Sequence, residues 1–122
     1  MDDRTAEYLV YLDATLTEIA GLARRGRDAY DRDIAVSRAC QYNLIRLTAD
    51  LERLGSDWLA HHPDIPWRLI KGMRNRIAHD YLTIDDDIIW AVVEHHATQL
   101  HHALENEIAT AKTTLHTDEQ TP

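Results

Sequence analysis

Between Gly72 and Tyr81 the chain reads Gly-Met-Arg-Asn-Arg-Ile-Ala-His-Asp-Tyr, which sets a fixed cation at Arg74, an imidazole at His79 and a phenol at Tyr81. Histidine takes or gives a proton near neutral pH, and arginine offers a planar donor fork that suits phosphate oxygens. Together they suit cleavage of a phosphodiester. Arg68, Lys71 and Arg76 add positive charge around them, and the span from Pro66 to His79 holds no acidic residue. Residues five apart on a helix differ by roughly 140° in direction and about 7.5 Å in height, so Arg74 and His79 do not share a face. Asn75 and His79, at i and i+4, do. Either the long arginine side chain wraps towards the imidazole, or two copies of the motif converge across a two-fold axis. A plainer reading has Arg74 and His79 capping the negative end of a helix, and Tyr81 half-buried with its hydroxyl in water.

Helices are the elements available to position these groups. Leu9, Leu12, Leu16, Ile19 and Ala23 recur at spacings of three and four, predicting an amphipathic helix over about residues 4–25. Cys40, Leu44, Leu47, Leu51, Leu54 and Trp58 extend the same alternation and predict one long helix over about residues 30–60. The break at His61-His62-Pro63-Asp64-Ile65-Pro66 should start a third helix, because a first-turn proline lacks only an N–H that has no helical partner. That helix carries Trp67, Ile70, Met73 and Ile77 and should end near Asp80. A fourth follows Asp85, whose acidic triplet can cap free N–H groups, and runs through Ile89, Val92, Val93, His96, Leu100, Leu104 and Ile108 to Ala111. No alternating strand pattern competes. The expectation is an all-α antiparallel bundle of four or five helices over residues 1–112, followed by a polar, flexible tail at 113–122.

Composition narrows the function classes. The chain has 122 residues, 44% hydrophobic and 28% charged, which fits one globular domain. Its net charge of −8 is local: residues 82–122 hold eight acidic side chains against Lys112 alone, so the basic Arg68–Arg76 island sits in an acidic protein. Phosphate contacts must then come from that cluster and not from a broad field. No apolar run spans a membrane and the acidic Met1-Asp2-Asp3 start does not resemble a signal peptide, so a cytoplasmic protein with no membrane partner is expected. The lone Cys40 fits a reducing compartment and reads as a buried small hydrophobe; Trp67 and Trp90 read as core or interface aromatics.

His62-Pro63-Asp64-Ile65-Pro66-Trp67, Gly72-Met73-Arg74-Asn75, Ala78-His79-Asp80-Tyr81 and Asp87-Ile88-Ile89-Trp90 together resemble the HepT family of the HEPN superfamily, ribonuclease toxins paired with minimal nucleotidyltransferase (MntA-like) antitoxins. The likeness is dense from about residue 62 to 93 and looser over Arg38–Leu54. It implies a HEPN-type bundle and a metal-independent endoribonuclease that cleaves RNA as a homodimer, its cleft lined by arginine and histidine of both protomers. Those roles fall on Arg74 and His79, with Asn75 as the polar residue after the arginine. Tyr81 matches the tyrosine that the partner antitoxin modifies with AMP. Where the family commonly has Gly-Glu-Ala in its second helix, this chain reads Thr48-Ala49-Asp50.

No cofactor is expected. None of the eight histidines stands at i and i+4 from another, no paired-cysteine framework exists, and the adjacent carboxylates Asp85, Asp86 and Asp87 lack an EF-hand's spacing. A small core and a motif whose two key side chains diverge both favour a homodimer. The alternative function is a non-catalytic helical module that holds a nucleotidyltransferase or its substrate.

Overall fold

The computed structural model describes residues 1–119, and its regular elements are all helical. Helix α1 spans Asp3–Ala23, α2 Arg27–Arg32, α3 Ile34–Leu54, α4 Ser56–Ala60 and α5 Trp67–His79. A 3-10 turn at Tyr81–Thr83 leads to α6, Asp86–Ala91, a π turn at Val92–His96, α7, Ala97–Ala103, and α8, Glu105–Glu119. The π turn and the bend at Leu104 interrupt a single rod without breaking it, since the Leu104 and Ile108 amides still reach Leu100 and Leu104. The expected fourth helix is this rod. It continues through residues 113–119 of the segment read as a tail, whose last three residues lie outside those described.

The predicted helix over 30–60 is three. Asp33 adopts an extended backbone and its side chain accepts the Ala35 amide, ending α2 and capping α3. Gly55, at φ +93°, turns the chain between α3 and α4, a conformation that other residues adopt only with strain. The three-four alternation continues across both breaks, so periodicity alone does not reveal them.

Helix α1 is the hub. It packs on α3 and also on the π turn, α7 and α8, while α5 rests against α3. Leu9, Leu12, Leu16 and Ile19 of α1 meet Cys40, Leu44, Leu47 and Leu51 of α3 in a core closed by Val92, Val93, Leu100 and Leu104. Cys40 is fully buried, and burial pushes its thiol up to about 11, consistent with a packing role. Trp90 is buried and Trp67 packs against the core, as read from the sequence.

Polar ties fix the rods relative to one another. Asp13 on α1 accepts from His101 (2.7 Å) and Lys112 (2.9 Å). Burial opposes ionisation of this carboxyl, but the hydrogen bonds from His101 and Lys112 hold it below its ordinary value. The Thr15 hydroxyl donates to the buried Asp50 at 2.6 Å. Burial pushes the Asp50 carboxyl up, against the Thr15 bond and the neighbouring Arg53 and Arg46. Thr48-Ala49-Asp50 therefore contributes its acid to the α1–α3 seam.

One tie holds the segment that leads into α5. His62 Nδ1 lies 2.7 Å from the Trp58 carbonyl and Nε2 lies 2.6 Å from the Glu107 carboxylate, while the ring stacks on Trp58 at 3.7 Å. Both partners are acceptors, so both nitrogens must carry protons and His62 is an imidazolium. Burial alone would depress this group, but Glu107 and the Trp58 carbonyl hold it above the ordinary 6.5. The stabilisation is complete below the ordinary value and is lost as pH rises through the raised one. Thermal melts of wild-type and His62→Gln protein from about pH 6 to pH 8 test this: the wild-type advantage should shrink towards the alkaline end. An advantage that does not change with pH would show that the proton is not what holds this segment.

Candidate active site

Helix α5 begins where proline allows it to. Pro66 is the cap residue, the Trp67 amide donates to the Ile65 carbonyl (2.8 Å), and the Ile70 amide reaches the Pro66 carbonyl (3.1 Å). Ile70 and Met73 are buried, with Ile77 packed beside them, so this side faces α3. The helix stops at Asp80, whose backbone (φ −147°, ψ 54°) is no longer helical, and the chain winds into the 3-10 turn that carries Tyr81. Asp80 is bound into that turn, its carbonyl accepting from the Thr83 amide and hydroxyl.

The opposite side of α5 is a stripe of Arg68, Gly72, Asn75 and His79, all exposed and spaced i, i+4, i+7, i+11. Lys71 and Arg76 flank it and are also exposed. Gly72 leaves bare backbone in the middle of the stripe, since a Cβ built there meets nothing within 4 Å. Arg74 is half-buried at the border with the apolar side, and its Nη1 donates to Asn75 Oδ1 at 3.1 Å. Asn75 therefore draws the arginine fork towards the stripe.

Arg74 and His79 do not meet within one copy. Among the described residues no side-chain hydrogen bond or ion pair reaches Arg68, Lys71, Arg76, His79 or Tyr81, and Arg74 bonds only the neutral Asn75. Among the cations elsewhere, Arg27 pairs with Asp31 and Asp87, Arg46 with Glu18, Arg53 with Asp50 and Lys112 with Asp13, whereas Arg4, Arg24, Arg25, Arg32 and Arg38 have no ion pair among the described residues; what sets α5 apart is that its cations cluster on one helix. Neither Arg74 nor His79 bonds the carbonyls at the end of α5, although His79 stands in the last turn, where the helix dipole favours a cation. Tyr81 is 68% exposed and Leu82 84%, so the turn after α5 stands out from the surface.

The acidic triplet beyond the turn is committed elsewhere. Asp85 caps α6 through the Asp87 and Ile88 amides, Asp86 accepts from the Tyr30 hydroxyl (2.6 Å), and Asp87 pairs with Arg27 (2.9 Å). Burial and the neighbouring Asp86 push the Tyr30 hydroxyl up, keeping it a donor. Among the described residues no cluster of three or more His, Cys, Asp or Glu is arranged to hold a metal ion, and no helix is long and apolar enough to cross a membrane. His62–Glu107 and Asp13–His101 are 45 and 88 residues apart in the chain, and no local spacing signals them.

Comparison with known proteins agrees with the motif. A protein of Caldanaerobacter subterraneus subsp. tengcongensis named "Putative RNase" is 26% identical over 87 residues, covering 68% of this chain and 78% of that protein. One of Thermococcus cleftensis named "Probable ribonuclease HepT" is 25% identical over 88 residues, covering 69% and 80%. No solved structure gives a significant match. The HepT-like ribonuclease family matches residues 12–107, which include the whole of α5 and the turn after it, and the chain belongs to that family.

Proposed function

We propose that this chain is a metal-independent endoribonuclease, acting as a homodimer in the cytoplasm, and the toxin of a pair whose antitoxin is a cognate minimal nucleotidyltransferase. The observation that carries the reading is the outer side of α5: four fixed cations and an imidazole with no carboxylate partner among the described residues, on an acidic protein. Cations left free at a cost in self-repulsion are suited to phosphate. Arg68, Lys71 and Arg76 would track the RNA backbone.

In the cleavage step His79 takes the proton of a ribose 2′-hydroxyl as that oxygen attacks the adjacent phosphorus. The bond to the 5′-oxygen breaks, the imidazolium returns the proton to it, and a cyclic phosphate end remains. Arg74, oriented by Asn75, stabilises the charge that builds on the non-bridging oxygens. Because Arg74 and His79 diverge on one helix, a two-fold axis beside α5 lets the arginine of one copy face the imidazole of the other. The bare backbone at Gly72 permits a close approach there.

Arg74→Ala and His79→Ala should each lower RNA cleavage by roughly 10²–10⁴-fold with the fold intact, as read on total cellular RNA with circular dichroism as the control. Cleavage at the wild-type rate by both variants would remove the motif from the chemistry.

Tyr81 is the proposed control point. Its exposed hydroxyl can attack the α-phosphate of ATP in the partner's active site, releasing pyrophosphate and leaving a phosphodiester. That adds about one negative charge and a bulky nucleoside at the end of α5 where RNA would bind. Tyr81→Phe should keep most of the cleavage activity and escape neutralisation. Intact-mass measurement after co-expression with the nucleotidyltransferase tests this, and an AMP increment that persists in Tyr81→Phe would place the modification elsewhere.

A further inference from the structure

A second cavity adjoins the basic stripe and differs from it in chemistry. The segment 62–66 has open space on both sides, and His62, Pro63, Ile65, Pro66 and Leu69 border both spaces. On one side a groove of about 850 Å³ includes Arg68. On the other, a cleft of about 560 Å³ lies between this segment and α7, and no lysine or arginine lines it. Its apolar wall is Ile65, Pro66, Leu69, Leu100 and Leu104, and its polar groups are His61, Asp64, His96 and Gln99.

The polar groups have defined hydrogen-bonding roles. His96 Nδ1 is buried without a partner. His96 lines the cleft, so this nitrogen is a polar atom there that the protein leaves without a partner. His61 Nδ1 lies 2.7 Å from the Asp57 carbonyl and donates to it, which leaves Nε2 as the ring nitrogen open to a ligand. Gln99 offers a donor and an acceptor side by side, and Asp64 accepts. Apolar walls with donors and acceptors at the rim, and no cation but His62, which is tied to Glu107, suit an uncharged planar heterocycle better than a phosphate.

We propose that this cleft is a base-binding subsite, which takes one unpaired nucleobase of the RNA while Arg68, across the 62–66 segment, holds the strand's phosphate. The inference rests on the ribonuclease reading above and adds a specificity determinant to it. Unstacked bases in single strands are recognised in this way, by packing on flat side chains and by hydrogen bonds to their edges. The His62–Glu107 tie keeps the shared wall in place, so the cleft is preformed.

The test uses Gln99→Ala, which removes the amide, and Ala103→Trp, which fills the cleft from an exposed position on its rim. Both are combined with His79→Ala, so that binding is read without turnover. Fluorescence anisotropy is measured with a short single-stranded RNA and with copies carrying one abasic nucleotide at each position in turn. Wild-type clefts should lose affinity by roughly tenfold for one abasic position only, and Ala103→Trp should bind intact RNA as weakly, with no further loss on the abasic copy. Gln99→Ala should weaken preference among bases at that same position. Equal affinity for every abasic copy, unchanged affinity in Ala103→Trp, or no RNA binding at all would overturn the subsite. Cleavage of the same RNAs by the chain with His79 intact reads the ribonuclease assignment separately.

Discussion

A thirteen-residue helix whose main neighbour is α3 leaves much of its circumference in water, and this constraint shapes the site. Helix α5 meets it by confining its core contacts to Trp67, Ile70, Met73 and Ile77 and by setting cations, Asn75 and His79 on the rest. The arrangement is costly in isolation, because like charges at i, i+3 and i+4 repel. The cost is tolerable because the site is open to solvent and because the remainder of the molecule carries the compensating negative charge at a distance.

Both ends of α5 are held by polar ties to other rods. Upstream, His62 joins the leading segment to α8 through Glu107. Downstream, Asp86 and Asp87 join the start of α6 to Tyr30 and Arg27 on α2. These contacts leave the basic face of α5 untouched while fixing where the helix starts and where the chain goes after Tyr81. Preorganisation of this kind suits the proposed chemistry, which needs one imidazole and one guanidinium placed together, since a misplacement of about 1 Å is costly. The same upstream tie holds the wall that separates the groove containing Arg68 from the cleft beside α7.

Much of this was legible in the sequence. Apolar periodicity located α1 and α5, Pro66 marked the start of the motif helix, and Asp85 was readable as a cap. The five-residue spacing put Arg74 and His79 on different faces and left either a wrapped arginine or a second copy to join them, and among the described residues no contact joins them within one copy. Periodicity failed at Asp33 and Gly55, where a single backbone conformation breaks the helix without disturbing the apolar alternation around it. It also failed to indicate the π turn, which buries both Val92 and Val93 by widening one turn of the rod. The hold of His62 on its proton depends on Glu107, which only folding brings close, and the orphaned nitrogen of His96 depends on burial that only folding creates.

The central claim is that one α5 supplies half of a site. It is tested most directly by mixing Arg74→Ala protein with His79→Ala protein, each inactive alone, under conditions that let subunits exchange, and by measuring RNA cleavage before and after. A shared cleft predicts that activity returns, because a mixed dimer pairs an intact arginine from one copy with an intact histidine from the other. A mixture that exchanges subunits, shown by native mass measurement, and stays inactive would contradict it.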